Sequence, residues 1–204
     1  MQQLIHVHGG EIFPNDDAFC EALATWEYKP FEHRKRWRNR LQEQLTGEYE
    51  MFFPDMPCYK NAKYRAWKIW FEKVLPFLND EELILTGGSL WATFLAKYLS
   101  ENVFPKRISQ LHLVAGVFDG TDRDGKDGYM GDFAFDPAGL KNLAKQADKI
   151  FLYHSKDDDI VPFSHLWKFA SYLPDAEVMV FEDRGHFKYQ EFPEILANIR
   201  KSQK

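Results

Sequence analysis

The 204-residue chain predicts an α/β fold, a three-layer α/β/α sandwich around a predominantly parallel six-stranded sheet. Three observations carry that expectation. Six short strand-like apolar runs recur along the chain, segments with apolar residues three and four apart lie between them, and prolines fall near the ends of these segments. Strands separated by helices pair in parallel, with helices covering both faces of the sheet.

In chain order, "LIHVH" at 4–8 is the first strand and 16–45 reads as helix. "YEMFF" at 49–53 is the second strand, followed by helical spacing over 62–78. "LILT" at 83–86 runs through Gly87, Gly88 and Ser89 into an amphipathic segment at 90–101. "QLHLVAG" at 110–116 is the fourth strand. The stretch "DGTDRDGKDGYMGDFAFDPAG", 119–139, is the least regular and reads as a surface excursion near the active face. A helix at 139–147, "KIFLYH" at 149–154, a helix at 163–173, "EVMVFE" at 177–182 and a helix at 189–201 complete the order. Pro54, Pro57, Pro76, Pro105, Pro174 and Pro193 punctuate it where a missing N–H is tolerated. No repeat or compositional shift marks a linker, so 1–204 is expected to be one domain.

The composition, 45% hydrophobic and 28% charged, suits a core that needs no staples. A formal charge of −5 argues against a chain built to hold nucleic acid or an anionic membrane. Cys20 and Cys58 have neither CxxC nor metal-type spacing and read as reduced thiols. No leader-like segment opens the chain and no apolar run approaches a membrane span, so a soluble, cytoplasmic protein is expected.

Ser89 lies between a strand and a helix, where a sharp turn lifts a serine hydroxyl over the strand's carboxyl end. Gly87 and Gly88 are the small neighbours such a turn needs, and the Leu90 N–H at the helix start would face a developing oxyanion. The simpler reading is that Ser89 caps the helix. What separates the two is whether a base and an acid follow. "FEDRGHF", 181–187, sets His186 on a loop after the last strand. "YHSKDDDIVPFSH", 153–165, offers three aspartates, one of which could orient the imidazole, while the others make a solvated turn. His154, His6 and His8 are weaker bases, because each lies in or at the edge of a strand-like run.

The order serine, aspartate, histidine resembles that of the α/β-hydrolases, over nearly the whole chain. "HVHGG" looks like that superfamily's oxyanion loop, "GGSLW" like its nucleophile elbow, "SKDDDIVPFSH" like its acid turn and "DRGHF" like its histidine loop. The likeness is to small, nearly lidless bacterial serine hydrolases. It implies Asp158 as the acid, with Asp157 and Asp159 one residue away, and a second oxyanion N–H from Gly10 or Glu11. It also implies that the strands starting at 4 and 83 are neighbours whose carboxyl ends form the ligand crevice. The expected activity is a carboxylesterase-like serine hydrolysis of a small acyl substrate through an acyl-enzyme, with no cofactor and no metal. Phe13, Phe118, Tyr129, Phe133, Phe135, Phe163 and Trp167 are candidates for an apolar acyl pocket.

One position departs from the pattern. The second residue after the serine is glycine in G-x-S-x-G, and here it is Trp91, which must face outward or alter the helix entry. That departure keeps open a hydrolase-fold protein that binds without catalysis. Two further readings compete. His6 and His8, two apart on a strand, could hold a metal with His154 or Asp158. The basic run "HRKRWRNR", 33–40, could bind nucleic acid, although such a run is more often a solvated helix face. The aspartates of 119–132 do not make an EF-hand, since no register puts glycine sixth and glutamate twelfth.

Overall fold

The structure is a computed structural model, and it describes residues 1–27, 37–79, 81–122, 124–188 and 191–201. Six strands form one all-parallel sheet in the order β2-β1-β3-β4-β5-β6: β1 (Gln3–Val7), β2 (Glu50–Phe52), β3 (Leu83–Gly88), β4 (Ile108–Val114), β5 (Ala147–Ser155) and β6 (Glu177–Phe181). The helices are α1 (Asp16–Thr25), α2 (Trp37–Leu45), α3 (Tyr64–Glu72), α4 (Leu90–Glu101), α5 (Leu140–Ala144), α6 (Ser164–Tyr172) and α7 (Pro193–Arg200). β1 and β4 are buried along their length, β5 is buried from Ile150 on, and the outer two strands are partly exposed, as expected for a parallel sheet covered on both faces.

Alternate strand residues feed two cores. Ile5, Leu85 and Leu152 pack with Trp67 and Phe71 of α3, Phe94 of α4, Leu140 of α5 and Phe169 of α6. Leu4, Ile84 and Phe151 pack with Leu41 of α2 and Ile195 of α7. Because the chain steps from β1 outward to β2 and then back across to β3, the carboxyl ends of β1 and β3 flank a crevice.

Several expected boundaries move, for local reasons. The helix read over 16–45 is capped by Asn15 and stops at Thr25, because Trp26 is extended with ψ 132°; α2 begins at Trp37, and 28–36 lie outside the described residues. The helix read over 62–78 ends at Glu72 and is followed by a separate 3₁₀ turn holding Pro76. Pro193 opens α7 and Glu191 and Phe192 before it are not helical, while 189–190 lie outside the described residues. The 119–139 stretch is tied down: Asp132 accepts the N–H groups of Tyr64 and Arg65 at 2.9 and 3.2 Å, capping α3, and Lys168 reaches Asp119 at 2.7 Å. On the α7 side, His112 Nε2–H donates to Gln110 Oε1 at 2.7 Å, so its Nδ1 accepts from Tyr153 at 2.8 Å, and burial pushes its pKa down to about 3.

Trp91 neither faces outward nor disturbs the helix. Its indole is fully buried, stacked on Phe94 at 4.3 Å and edge-on to Phe71 at 5.4 Å. It lies across Gly87, where a Cβ would fall inside Trp91 Cδ1. The close approach of strand and helix that a glycine after the serine usually supplies is made here by a glycine before it. Ala92 faces the other neighbour, Gly116, as the small residue of that contact. Gly87→Ala is therefore expected to lose about 3 kcal/mol through overpacking, and Trp91→Ala about 3–5 kcal/mol through the cavity it leaves. Urea denaturation of the double variant should show clear non-additivity, because the added methyl enters the space the indole vacated; strictly additive losses would contradict the pairing.

Candidate active site

Ser89 has φ 56° and ψ −129°, a backbone region that side chains other than glycine rarely enter. Its N–H donates to Val114 O at 2.8 Å, which ties the turn to β4. Its side chain makes no capping bond to α4, so the helix-cap reading fails and the hydroxyl is left facing the crevice. The loop after β1 lies directly over it: a Cβ at Gly9 would stand 2.8 Å from Ser89 Cβ and 3.3 Å from its Oγ. Only glycine fits against that serine.

Of the two candidates for a second oxyanion donor, Glu11 is ruled out because its N–H donates to Tyr59 O at 2.8 Å. The N–H groups of Gly10 and Leu90 make no hydrogen bond among the described residues, and both residues line the cavity that holds Ser89. A side chain at Gly10 is excluded by Tyr59 O, at 2.6 Å from the Cβ position.

The three aspartates of the acid turn separate cleanly. Asp157 and Asp159 are exposed and Asp158 is buried, its side chain wholly inaccessible. Asp158 Oδ1 accepts the N–H groups of Ile160 and Val161, both at 2.9 Å. His186 Nδ1 lies 2.8 Å from Oδ2 and 3.1 Å from Oδ1, so it carries the proton and presents Nε2 as the free base. Burial pushes the Asp158 carboxyl up, but hydrogen bonds with His154 and His186 and the backbone donor of Val161 outweigh it and hold the group below the usual carboxylate range. Asp158 therefore stays ionised beside the imidazole.

Asp157 has a different task. Its Oδ1 accepts from Ser155 Oγ at 2.5 Å and from Gly185 N–H at 2.8 Å, and Ser155 Oγ in turn accepts from Arg184 N–H at 2.9 Å. The turn that holds the imidazole thus also clamps the backbone just before it. Gly185 and Phe187 flank His186 with positive φ, 50° and 52°, giving the loop its tight path. Spacing could not reveal this clamp, because it joins two loops across the sheet edge.

Ser89, Leu90, Gly10 and His186 open on one cavity of about 530 Å³. Among the described residues no hydrogen bond joins Ser89 Oγ to His186; such contacts commonly tighten only with substrate bound. Of the expected pocket aromatics only Tyr129 lines the cavity. Phe118 and Phe133 are core, Trp167 is exposed, and Phe13 packs on Phe19. The apolar lining comes instead from Ile12, Leu90, Met130, Ile160 and Val161. Glu11 sits at an exposed part of the mouth, where partial burial of its carboxyl pushes its pKa up and His186 and Lys188 pull it back.

The competing constellations are built differently. His6 is buried in β1 with Nδ1 2.6 Å from Thr86 Oγ1, whereas His8 lies beyond the strand with Nδ1 against Gly9 O at 2.7 Å, so they do not form a strand pair. Among the described residues no three histidine, cysteine or acidic side chains meet as a metal set. His165, which sequence reasoning passed over, lines the cavity with both nitrogens engaged: Nδ1 accepts from Phe118 N–H at 2.9 Å and Nε2–H donates to Thr121 O at 2.9 Å. It has no free lone pair for base chemistry. Of the basic run, 33–36 lie outside the described residues; Trp37 turns into the cavity against His6 at 4.7 Å, and Arg40 lies 3.9 Å from Glu191. No helix among the described residues is long and apolar enough to cross a membrane.

Comparison with known proteins places this architecture. No family model matches the chain. It is 25% identical over 171 residues to the serine hydrolase RBBP9 of Rattus norvegicus, covering 80% of this chain and 83% of that protein. Among solved structures it is similar to the ydeN gene product of B. subtilis, with TM-score 0.71 and 19% identity over 99% of this chain and 98% of that one. It is also similar to α/β hydrolase domain-containing protein 10 from mouse, with TM-score 0.60 and 14% identity over 98% and 88%. The chain has the α/β-hydrolase fold.

The clamp by Asp157 can be tested without reference to activity. Asp157→Ala should speed hydrogen exchange of the Gly185 amide by about tenfold, with Asp159→Ala leaving it unchanged. Equal protection in both variants would show that Asp157 does not hold the loop.

Proposed function

We propose that the chain is a serine hydrolase acting on a small ester or related acyl substrate, with Ser89 as nucleophile, His186 as base and Asp158 as the acid that orients it. One observation carries the reading: a strained, uncapped serine shares a cavity with an imidazole whose other nitrogen is bound to a buried carboxylate. The resemblance to a protein named as a serine hydrolase supports it. The departure at Trp91, which kept open a non-catalytic binding protein, is absorbed by the core and gives that alternative no support.

The chemistry follows from the geometry. His186 Nε2 takes the Ser89 proton as Oγ attacks the acyl carbonyl, and Asp158 stabilises the imidazolium that results. The N–H groups of Gly10 and Leu90, the latter at the positive end of α4, receive the charge that develops on the carbonyl oxygen. His186 returns the proton to the leaving group, giving an acyl-enzyme, and then activates water to release the acid. None of these steps calls on a cofactor. The cavity is open and of mixed polarity, which suits a small acyl group better than a long buried chain.

Turnover of a short-chain aryl ester should fall by at least about 10³-fold in Ser89→Ala and by about 10³–10⁴-fold in Asp158→Asn. Asp159→Asn, at the exposed neighbour, should stay near the parent rate. Undiminished hydrolysis by Ser89→Ala would sink the reading.

A further inference from the structure

We propose that His154 is a positioning residue for this site: a second imidazole on Asp158 that shares the carboxylate with His186 and so sets how firmly His186 holds a proton. The proposal rests on the reading of Ser89, His186 and Asp158 as a catalytic set, and it concerns a residue that set does not contain.

His154 lies near the end of β5, buried, with Nε2 3.0 Å from Val161 O and 3.3 Å from Asp158 Oδ2. A carbonyl oxygen has no hydrogen to offer, so Nε2 must carry the proton; it donates to Val161 O and brings the N–H within 3.3 Å, heavy atom to heavy atom, of Asp158 Oδ2. Phe163 stands perpendicular to the ring at 5.8 Å and lines its pocket. The oxygen it reaches, Oδ2, is the one closest to His186 Nδ1, at 2.8 Å, while Oδ1 holds the two backbone N–H groups. Two imidazoles thus draw on one carboxylate oxygen from different directions.

A carboxylate that accepts an additional donor offers less charge to each partner. His154 therefore makes Asp158 easier to keep ionised but a weaker support for a protonated His186. The surrounding charged groups are these: Asp158 binds His186, Glu11 of the oxyanion loop feels the charges of His186 and Lys188, Asp157 stands beside Asp158, and His165 of α6 feels the charge of His154. Removing the His154 donor changes one of these influences and returns charge to His186, so His186 should bind its proton at higher pH.

The experiment is an NMR titration of the histidine rings in the parent, in His154→Phe and in His154→Gln, whose amide nitrogen can stand in for Nε2. The parent should show His154 protonated at Nε2. In His154→Phe the titration of His186 should move up by about half a pH unit, and the acid limb of kcat/KM for an aryl ester should move with it, kcat changing more than KM. His154→Gln should restore both. If His154→Phe does not fold, His154→Asn, whose shorter amide falls away from Asp158, takes its place with the same expectation. An Nδ1–H tautomer of His154 in the parent, or an unmoved His186 titration in the folded variant, would overturn the proposal. Because the titration is read without turnover, a His186 titration that moves in His154→Phe, beside a parent that hydrolyses nothing, would strike the functional reading and leave this one standing.

Discussion

The site depends on holding Ser89 in a conformation that an L-residue avoids. A backbone at φ 56°, ψ −129° costs on the order of 1–3 kcal/mol and persists only where the surroundings over-determine it. Here they do so from three sides. Val114 O holds the Ser89 N–H, the Gly9 backbone packs against the serine from above, and Trp91 locks the first turn of α4 onto Gly87 below. The aromatic mass that looked like an intrusion at the elbow is what fastens helix to strand. Trp67, Phe71 and Phe94 extend that anchor into the α3–α4 layer.

A second constraint acts from the far side of the crevice. The turn after β5 must present one carboxylate in a buried place without leaving it unpaired, since an isolated buried charge is prohibitively costly. Asp158 meets this with two backbone donors and two imidazoles, and its neighbour Asp157 meets the histidine loop through Gly185. Consecutive aspartates thus divide the work between orienting a ring and fixing the backbone that carries it.

The sheet was legible because each strand is a short aliphatic run, and parallel order followed from the helices between them. The serine turn and its sequel were legible because glycines, a serine, an acid turn and a histidine loop each carry a local signature. What was not legible depended on contacts between distant segments. Three consecutive aspartates look alike until burial distinguishes Asp158, and Glu11 looked as available as Gly10 until Tyr59 O was found to occupy its N–H. Periodicity ran on past Trp26 although the backbone there turns extended. Residue type placed Phe118 and Phe133 near the active face, but the side on which a ring packs is decided by its neighbours, and both lie in the core.

Fold likeness at 19% identity or below supplies the scaffold, while the chemistry rests on this chain's own residues. The central claim is that the strained serine forms a covalent bond to the acyl group. Rapid acid quench of the protein with an activated acetyl ester, followed by mass-spectrometric peptide mapping, tests it most directly. The account predicts an acetyl group on the peptide bearing Ser89, appearing before steady turnover. Acetylation confined to another residue, or turnover with no acylated protein at any time, would contradict it.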